Sequence, residues 1–277
     1  MKQQELSIKE IQTVSLEVLK QVTDLCDSLG LRYFLTYGTL IGAIRHKGFI
    51  PWDDDVDIMM PRPDYEKLLS FFLEHKSDYP NLELFNPVIC ENYPYMISRF
   101  SDNRYLLNVD NEKPYGIGVF IDVYPLDGLG ETIEEAKRFG GKGDILSTFY
   151  YQSTRKHYDP QTITSGHKLL KAIVKLPVFV IAKILGKRFF EKQLNKLTWK
   201  SYDKSRFVGP VVWFVGGEEN IFPRKWFDNL ISVPYEQYSF KVPEKFDVFL
   251  RKMYGDYMKL PPEQDRVGHH YYKAYKK

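Results

Sequence analysis

Four carboxylates fall within five residues at Asp53, Asp54, Asp55 and Asp57. Charges at that spacing repel one another, so such a run folds only where cations hold it or where it lies splayed in water. The residues that follow decide between the two. Asp55-Val56-Asp57-Ile58 alternates polar and apolar, and in a strand this puts Asp55 and Asp57 on one face, roughly 6–7 Å apart, with Val56 and Ile58 on the other. By the same parity Asp53 joins the acidic face and Asp54 points away. Pro51 and the acidic run also suit a solvated loop, but Val56, Ile58, Met59 and Met60 carry the segment into a core.

A chain of 277 residues, 43% hydrophobic and 16% aromatic, has ample material for that core, as one large domain or as a domain with an appendage. Cys26 and Cys90 offer neither a disulfide framework nor metal-ligand spacing, which fits a reducing compartment. The N-terminal MKQQELSIKE has no apolar run, so no signal peptide is expected. No stretch reaches the roughly 18 apolar residues of a membrane span. The net charge of +3 hides an asymmetry: between His167 and Lys200 nine Lys/Arg face Glu191 alone, a local +8 that leaves the rest of the chain at −5.

Ser7 and Glu10 have the spacing of a capping box, and Ile11, Val14, Val18, Val22, Leu25 and Leu29 follow at steps of three and four, with Gly30 as the stop. This predicts an amphipathic helix with a structural role. Leu31 to Tyr37 reads as a short strand, and Gly38-Thr39 as a turn into a brief helix, Leu40 to Arg45. Glycine admits close backbone approach, and a threonine hydroxyl with the N–H groups of a helix start can hold phosphate oxygens. A strand, a Gly-Thr turn, a helix and a strand with two carboxylates on one face make the layout of a metal-dependent nucleotide site, where cations neutralise charge on phosphate oxygens. Arg45, His46 and Lys47 lie between the two parts, as phosphate contacts or as a solvated basic helix end.

The run YGTLIGAIRHKGFIPWDDDVDIMMPRPDY resembles the signature of the LicD family, with further matches in IDVYPLDG (121–128) and YGDYMKLPP (254–262). Thr39 stands where the wider superfamily has serine, and the insertion from Arg45 to Trp52 is typical of LicD proteins. The resemblance implies an α+β fold of the nucleotidyltransferase (polymerase-β-like) type, a mixed sheet with flanking helices. It implies transfer of phosphocholine from CDP-choline, or of another phospho-alcohol such as ribitol phosphate from a related CDP-alcohol, to a sugar hydroxyl. Carried over by position, Gly38 and Thr39 take the phosphate-binding role, and Asp55 and Asp57 hold Mg2+ or Mn2+; Arg45 and Trp52 are added beside the donor from the reading of the residues themselves. A third carboxylate is expected from a later strand, and GIGVFIDVYPL (116–126) supplies Asp122. Inside an apolar strand Asp122 must meet a cation or a donor; metal ligand and general base are its two roles. Asp127 reads as a turn residue.

Asp64 to His75 should be a helix beside the Asp strand, and Leu82 to Pro87, Tyr95 to Phe100 and Tyr105 to Val109 should extend the sheet. Arg99 reads as an exposed strand residue, with donor phosphates as its other use. Thr132 and Glu135 form a second capping-box pattern. From His167 to Lys200 lysines alternate with Leu, Ile, Val and Phe, with a bend or break expected at Leu176-Pro177. Such a basic amphipathic segment lies on an anionic membrane or packs on the core, and the former suits a lipid-linked glycan precursor of the teichoic-acid type as acceptor. It lacks stacking aromatics on its polar side, so nucleic acid is not expected. Residues 210–226 read as a loop or hairpin, 226–242 as two strands about Pro234, and Glu244 to Tyr254 as a helix ended by Gly255, with His269 and His270 further on. A quaternary ammonium needs ring faces, for which Trp52 and Trp213 are named.

These readings divide the chain into a catalytic core at 1–130, a basic helical region at 131–207 and C-terminal elements at 208–277 that complete the catalytic domain. The expectation is a cytoplasmic transferase, peripheral at the inner face of the membrane. A glycosyltransferase using Asp-x-Asp and a non-catalytic membrane-bound scaffold are the alternatives.

Overall fold

The computed structural model describes residues 4–158, 168–197, 202–213, 217–268 and 272–277, and of residues 168–174 the backbone only. The calls on His167, Lys200, His269 and His270 fall outside the described residues. Helix α1 (Ile8–Ser28) starts as its capping box dictates: Glu10 N–H donates to Ser7 Oγ at 3.3 Å and Ser7 N–H to Glu10 Oε2 at 2.7 Å. Its Val18, Leu19 and Val22 are fully buried. The chain then runs through β1 (Phe34–Leu35), α2 (Tyr37–Arg45), β2 (Asp57–Pro61), α3 (Arg62–Glu74), β3 (Leu82–Phe85), β4 (Ser98–Asp102), β5 (Tyr105–Val109) and β6 (Val119–Gly130).

The result is a mixed α/β architecture on one curled sheet, ordered β1-β2-β6-β4-β3. β2 and β6 are parallel and the other neighbours antiparallel. Parallel pairing sets Asp57 directly beside Asp122. β6 is buried along its whole length, because α1, α3 and α4 (Ile133–Thr154) all pack against it. On the α3 face the Tyr65 and Ser98 hydroxyls hydrogen-bond at 2.6 Å and Phe72 packs edge-on against Phe100, ring centres 4.9 Å apart. The opposite face carries Phe120, Asp122 and Tyr124.

Beyond α4 come α5 (Lys168–Leu185), α6 (Lys187–Leu197), β7 (Phe207–Gly209) and β8 (Phe222–Pro223). β7 pairs with the far end of β6, and β8 pairs with β7. The hairpin of β9 (Leu230–Tyr235) and β10 (Tyr238–Pro243) follows, then α7 (Phe246–Tyr254), stopped by Gly255 at φ +66°, and β11 (Tyr272–Lys276).

Several sequence expectations need correction. Gly38 and Thr39 lie inside the first turn of α2, whose N-cap is Thr36, and form no separate turn. β2 begins only at Asp57, so Asp55 belongs to the lead-in, although Asp122 N–H still bonds Val56 O at 2.8 Å. β6 runs on past Asp127, which is a buried strand residue and not a turn, because Arg62 Nε (2.6 Å) and Nη2 (3.0 Å) satisfy its carboxylate. β5 leaves the main sheet to pair with β11, a partner more than 160 residues away that local pattern cannot reveal. The β9–β10 turn falls at Glu236-Gln237, where Glu236 takes φ +51°, and Pro234 stays within β9. That is possible because the hairpin stands alone and leaves edges that need no donor. α5 continues through Pro177; the break comes at Gly186, φ +75°, where glycine adopts the left-handed conformation without strain.

Candidate active site

Asp57 is the centre of the site. Its backbone is fixed twice, by Thr36 N–H donating to Asp57 O at 3.1 Å and by Asp57 N–H donating to Thr39 Oγ1 at 2.8 Å. The Thr39 hydroxyl, expected at a phosphate, therefore orients the acidic strand from within a buried helix turn. The carboxylate of Asp57 is treated differently. It is 5% exposed, and its Oδ1 has no hydrogen-bond partner among the described residues. Burial, then the charges of Asp55, Asp122 and Asp53, hold this carboxyl well above the ordinary carboxylate range, with Arg99 alone opposing.

Asp53 approaches closely enough that a Cβ on Gly38 would meet its Oδ2 at 2.7 Å, so any larger residue there would push the Asp53 carboxylate aside. Burial, the Asp55 charge and a hydrogen bond shared with Asp55 push Asp53 up to about 9. Asp54 lines neither cavity described below, and its carbonyl accepts from the Tyr272 hydroxyl at 3.2 Å.

Asp122 has the partner that burial demands. Arg99 Nε donates to its Oδ1 at 2.6 Å and Nη2 to Oδ2 at 3.4 Å, with both side chains less than one-tenth exposed. Arg99 is thus buried, contrary to the expectation of an exposed strand arginine. Its guanidinium lies 4.1 Å from the Tyr95 ring centre and 4.0 Å from that of Phe120. Behind it Arg155 Nη2 donates to Glu112 Oε1 at 3.0 Å and stacks on Tyr151 at 3.9 Å.

Two cavities meet at these carboxylates and share one lining residue, Asp55. The first, about 590 Å³, contains Asp53 and Asp57 together with Gly38, Arg45 and Trp52, so three of the four residues expected at the donor line it. Its far wall is C-terminal: Tyr254, Asp256, Tyr257 and Lys259. Arg45 ties that wall in place, donating from Nη1 to Tyr257 O at 2.6 Å. The hairpin turn braces the loop between, with Glu236 N–H donating to Lys47 O at 2.8 Å and Phe49 N–H to Glu236 Oε1 at 3.0 Å. The second cavity, about 570 Å³, contains Asp122 and an aromatic wall including Tyr95, Tyr124 and Trp213. Trp52 and Trp213, named together for a quaternary ammonium, line different cavities.

Sequence reading missed Tyr37, Tyr124, Arg155 and the C-terminal wall. The wall did leave a signal, since Tyr254 to Pro262 is the YGDYMKLPP stretch. Tyr37 left none: its φ of +49°, unusual for a side chain of that bulk, is a property of the folded backbone.

Among the described residues no three carboxylate, imidazole or thiolate groups form a ready-made metal cage. What the site offers is a buried carboxylate oxygen without a donor, repelled by its neighbours. Hard oxygen donors of this kind suit Mg2+ or Mn2+, and Mg2+ is commonly held by one or two carboxylates plus substrate phosphates.

Over residues 30–144 the chain matches the family described as LicD/FKTN/FKRP, nucleotidyltransferase domain. It is 30% identical over 272 residues, 98% of each chain, to the lipopolysaccharide cholinephosphotransferase LicD of Haemophilus influenzae. Shorter similarities run to the uncharacterized protein RT0683 of Rickettsia typhi, 40% over 58 residues (21% of this chain, 19% of that one), and to the human ribitol 5-phosphate transferase FKRP, 45% over 42 residues (15% of this chain, 8% of that one).

Proposed function

The chain belongs to the LicD family and is a transferase, and from that premise we propose that it moves phosphocholine from CDP-choline to a sugar hydroxyl of a cell-surface glycan precursor of the teichoic-acid type. The observation that carries the reading is similarity along the whole length to a cholinephosphotransferase, in a chain whose half-buried Asp55 joins two cavities lined by the buried Asp57 and Asp122. A nucleotidyltransferase-type fold is part of the same reading.

Asp55 and Asp57 are the proposed ligands of Mg2+ or Mn2+, with Asp122 as third ligand or base. The ion would neutralise charge on the diphosphate and on departing CMP. The residues themselves do the positioning. The N–H groups of Tyr37, Gly38 and Thr39 precede the first helical bond, Leu40 N–H to Thr36 O, and would be the helix-start donors to a phosphate bound there. Arg45 and Trp52 flank the nucleotide side. Arg99 holds the Asp122 carboxylate in one orientation. Positioning and charge neutralisation would carry most of the rate.

No helix among the described residues is long and apolar enough to cross a membrane. The α5–α6 surface nevertheless exposes Leu176, Val180, Ile184 and Phe189, and beside them a groove is lined by Lys187, Arg188, Lys192 and Lys196 together with Glu91 and Glu191, a net positive surface. Apolar side chains rimmed by cations suit an anionic membrane, where a lipid-linked acceptor would be met; the inner face of the cell membrane is the proposed location.

A donor screen tests the function. CMP release from CDP-choline that needs both a divalent cation and acceptor is the expected result. Turnover of CDP-ribitol alone would move the chain to another phospho-alcohol. UDP or GDP release from nucleotide sugars would make it a glycosyltransferase, and no turnover of any donor would leave a scaffold.

A further inference from the structure

We propose that the second cavity is a quaternary-ammonium site, in which Trp213, Tyr124 and Tyr95 form the ring wall and Asp144 supplies the counter-charge. The inference rests on the phosphocholine reading and deepens it by naming where the transferred group is recognised.

The chemistry of the group sets the requirements. A trimethylated nitrogen has no N–H to donate, so hydrogen-bonding residues gain nothing from it. Ring faces and diffuse negative charge are what attract it. Trp213 stands between Tyr95 and Tyr124, with ring centres 6.2 Å from each. The same cavity already stacks cations on rings, as the Arg99 and Arg155 contacts show. Those guanidinium groups are committed to Asp122 and Glu112. Among the described lining residues, once Asp55 and Asp122 are given to the metal ion and Glu112 to Arg155, Asp110 and Asp144 remain against Lys175, so negative charge is still in excess. Asp144 has neither a hydrogen bond nor an ion pair among the described residues, and it enters the lining from α4.

Position along the strand supplies the second argument. Tyr124 follows Asp122 by two residues on the same face of β6, roughly 6–7 Å further on. One oxygen and two carbons separate phosphorus from nitrogen in phosphocholine, a comparable span. With phosphate at the acidic cluster and the nucleotide in the first cavity, the ammonium reaches Tyr124 and Trp213. The division at Asp55 then has a purpose: one cavity reads the nucleotide, the other the alcohol.

The test is titration calorimetry of the full chain with Mg2+ and, in turn, CDP-choline, CDP-ethanolamine and CDP. Wild type is expected to bind CDP-choline about tenfold more tightly than CDP-ethanolamine, whose primary ammonium stays strongly hydrated. Trp213→Leu should remove most of that preference while CDP affinity stays unchanged, and Trp213→Phe should restore part of it. Asp144 is exposed, so Asp144→Asn keeps the fold if the tryptophan variant does not, and it should weaken CDP-choline about threefold with CDP unaffected. A wild type that binds CDP-choline no better than CDP overturns the phosphocholine reading and the ammonium site together. A preference for CDP-choline that survives both substitutions overturns the site alone.

Discussion

The β2–β6 pair buries aspartates at its two ends and treats them in opposite ways. At one end Asp127 is wholly buried and receives two hydrogen bonds from Arg62. At the other Asp57 is almost as deeply buried, among three other aspartates, and one of its oxygens receives nothing. Asp122 lies between these cases, with its own arginine yet open to a cavity. Burying a carboxylate costs several kcal/mol unless it is paired and hydrogen-bonded. The fold meets that cost at Asp127 and leaves it standing at Asp57. Asp127 is architecture, while Asp57 is held ready for something that arrives later.

The largest expected effect of breaking this contrast is on turnover. Asp57→Asn should lower kcat by about 10³-fold or more, while the metal-free protein gains on the order of 1–3 kcal/mol, because an amide does not incur the cost of forcing a buried, repelled carboxyl away from its ordinary ionisation. Steady-state kinetics with denaturant unfolding in chelator measures both. Near-normal turnover would remove Asp57 from the site, and a loss of stability would show that its charge is satisfied.

Asp127→Asn should do the reverse. It leaves the part-buried Arg62 beside an uncharged partner and should cost up to about 3 kcal/mol, partly offset by the bond from Arg62 to Glu66. The folded fraction should keep its affinity for CDP-choline. Chemical denaturation and calorimetry on one preparation check the two halves of this expectation.

A third test asks whether a cation relieves the repulsion. Mg2+ or Mn2+ at about 100 times its Kd should stabilise wild type by roughly 2.7 kcal/mol, a rise of several degrees in Tm for a chain of this size. Asp57→Asn should show little of that rise, and Asp127→Asn should show all of it. An equal response in every variant would place the ion elsewhere.

The contrast was half legible in the sequence. Asp55, Asp57 and Asp122 stood out because carboxylates interrupt apolar alternation, which is a local pattern. Their partners did not, because pairing is decided by strands brought together across the chain: Arg99 is 23 residues from Asp122 and Arg62 is 65 from Asp127. The same distance problem assigned Asp127 to a turn and Arg99 to the surface. It hid the wall that Arg45 fastens from 212 residues away. The capping box of α1 and the Gly255 stop were readable because their chemistry is complete within a few residues. The excess of rings concealed the Tyr95–Trp213–Tyr124 wall, since most of the aromatic residues in the chain are core.

The smallest expected effect separates the Asp57 backbone from its carboxylate. Thr39 Oγ1 accepts the buried Asp57 N–H at 2.8 Å, so Thr39→Val should leave that donor unmet and cost about 1–2 kcal/mol. Thr39→Ser keeps the oxygen and should recover most of the loss. If the hydroxyl only anchors β2, the valine variant should retain its affinity for CDP-choline once folded. If the hydroxyl also donates to a phosphate, as the sequence first suggested, affinity should fall by a further several-fold that Thr39→Ser restores. Unfolding and titration of the two variants therefore distinguish a residue that positions Asp57 from one that touches the donor.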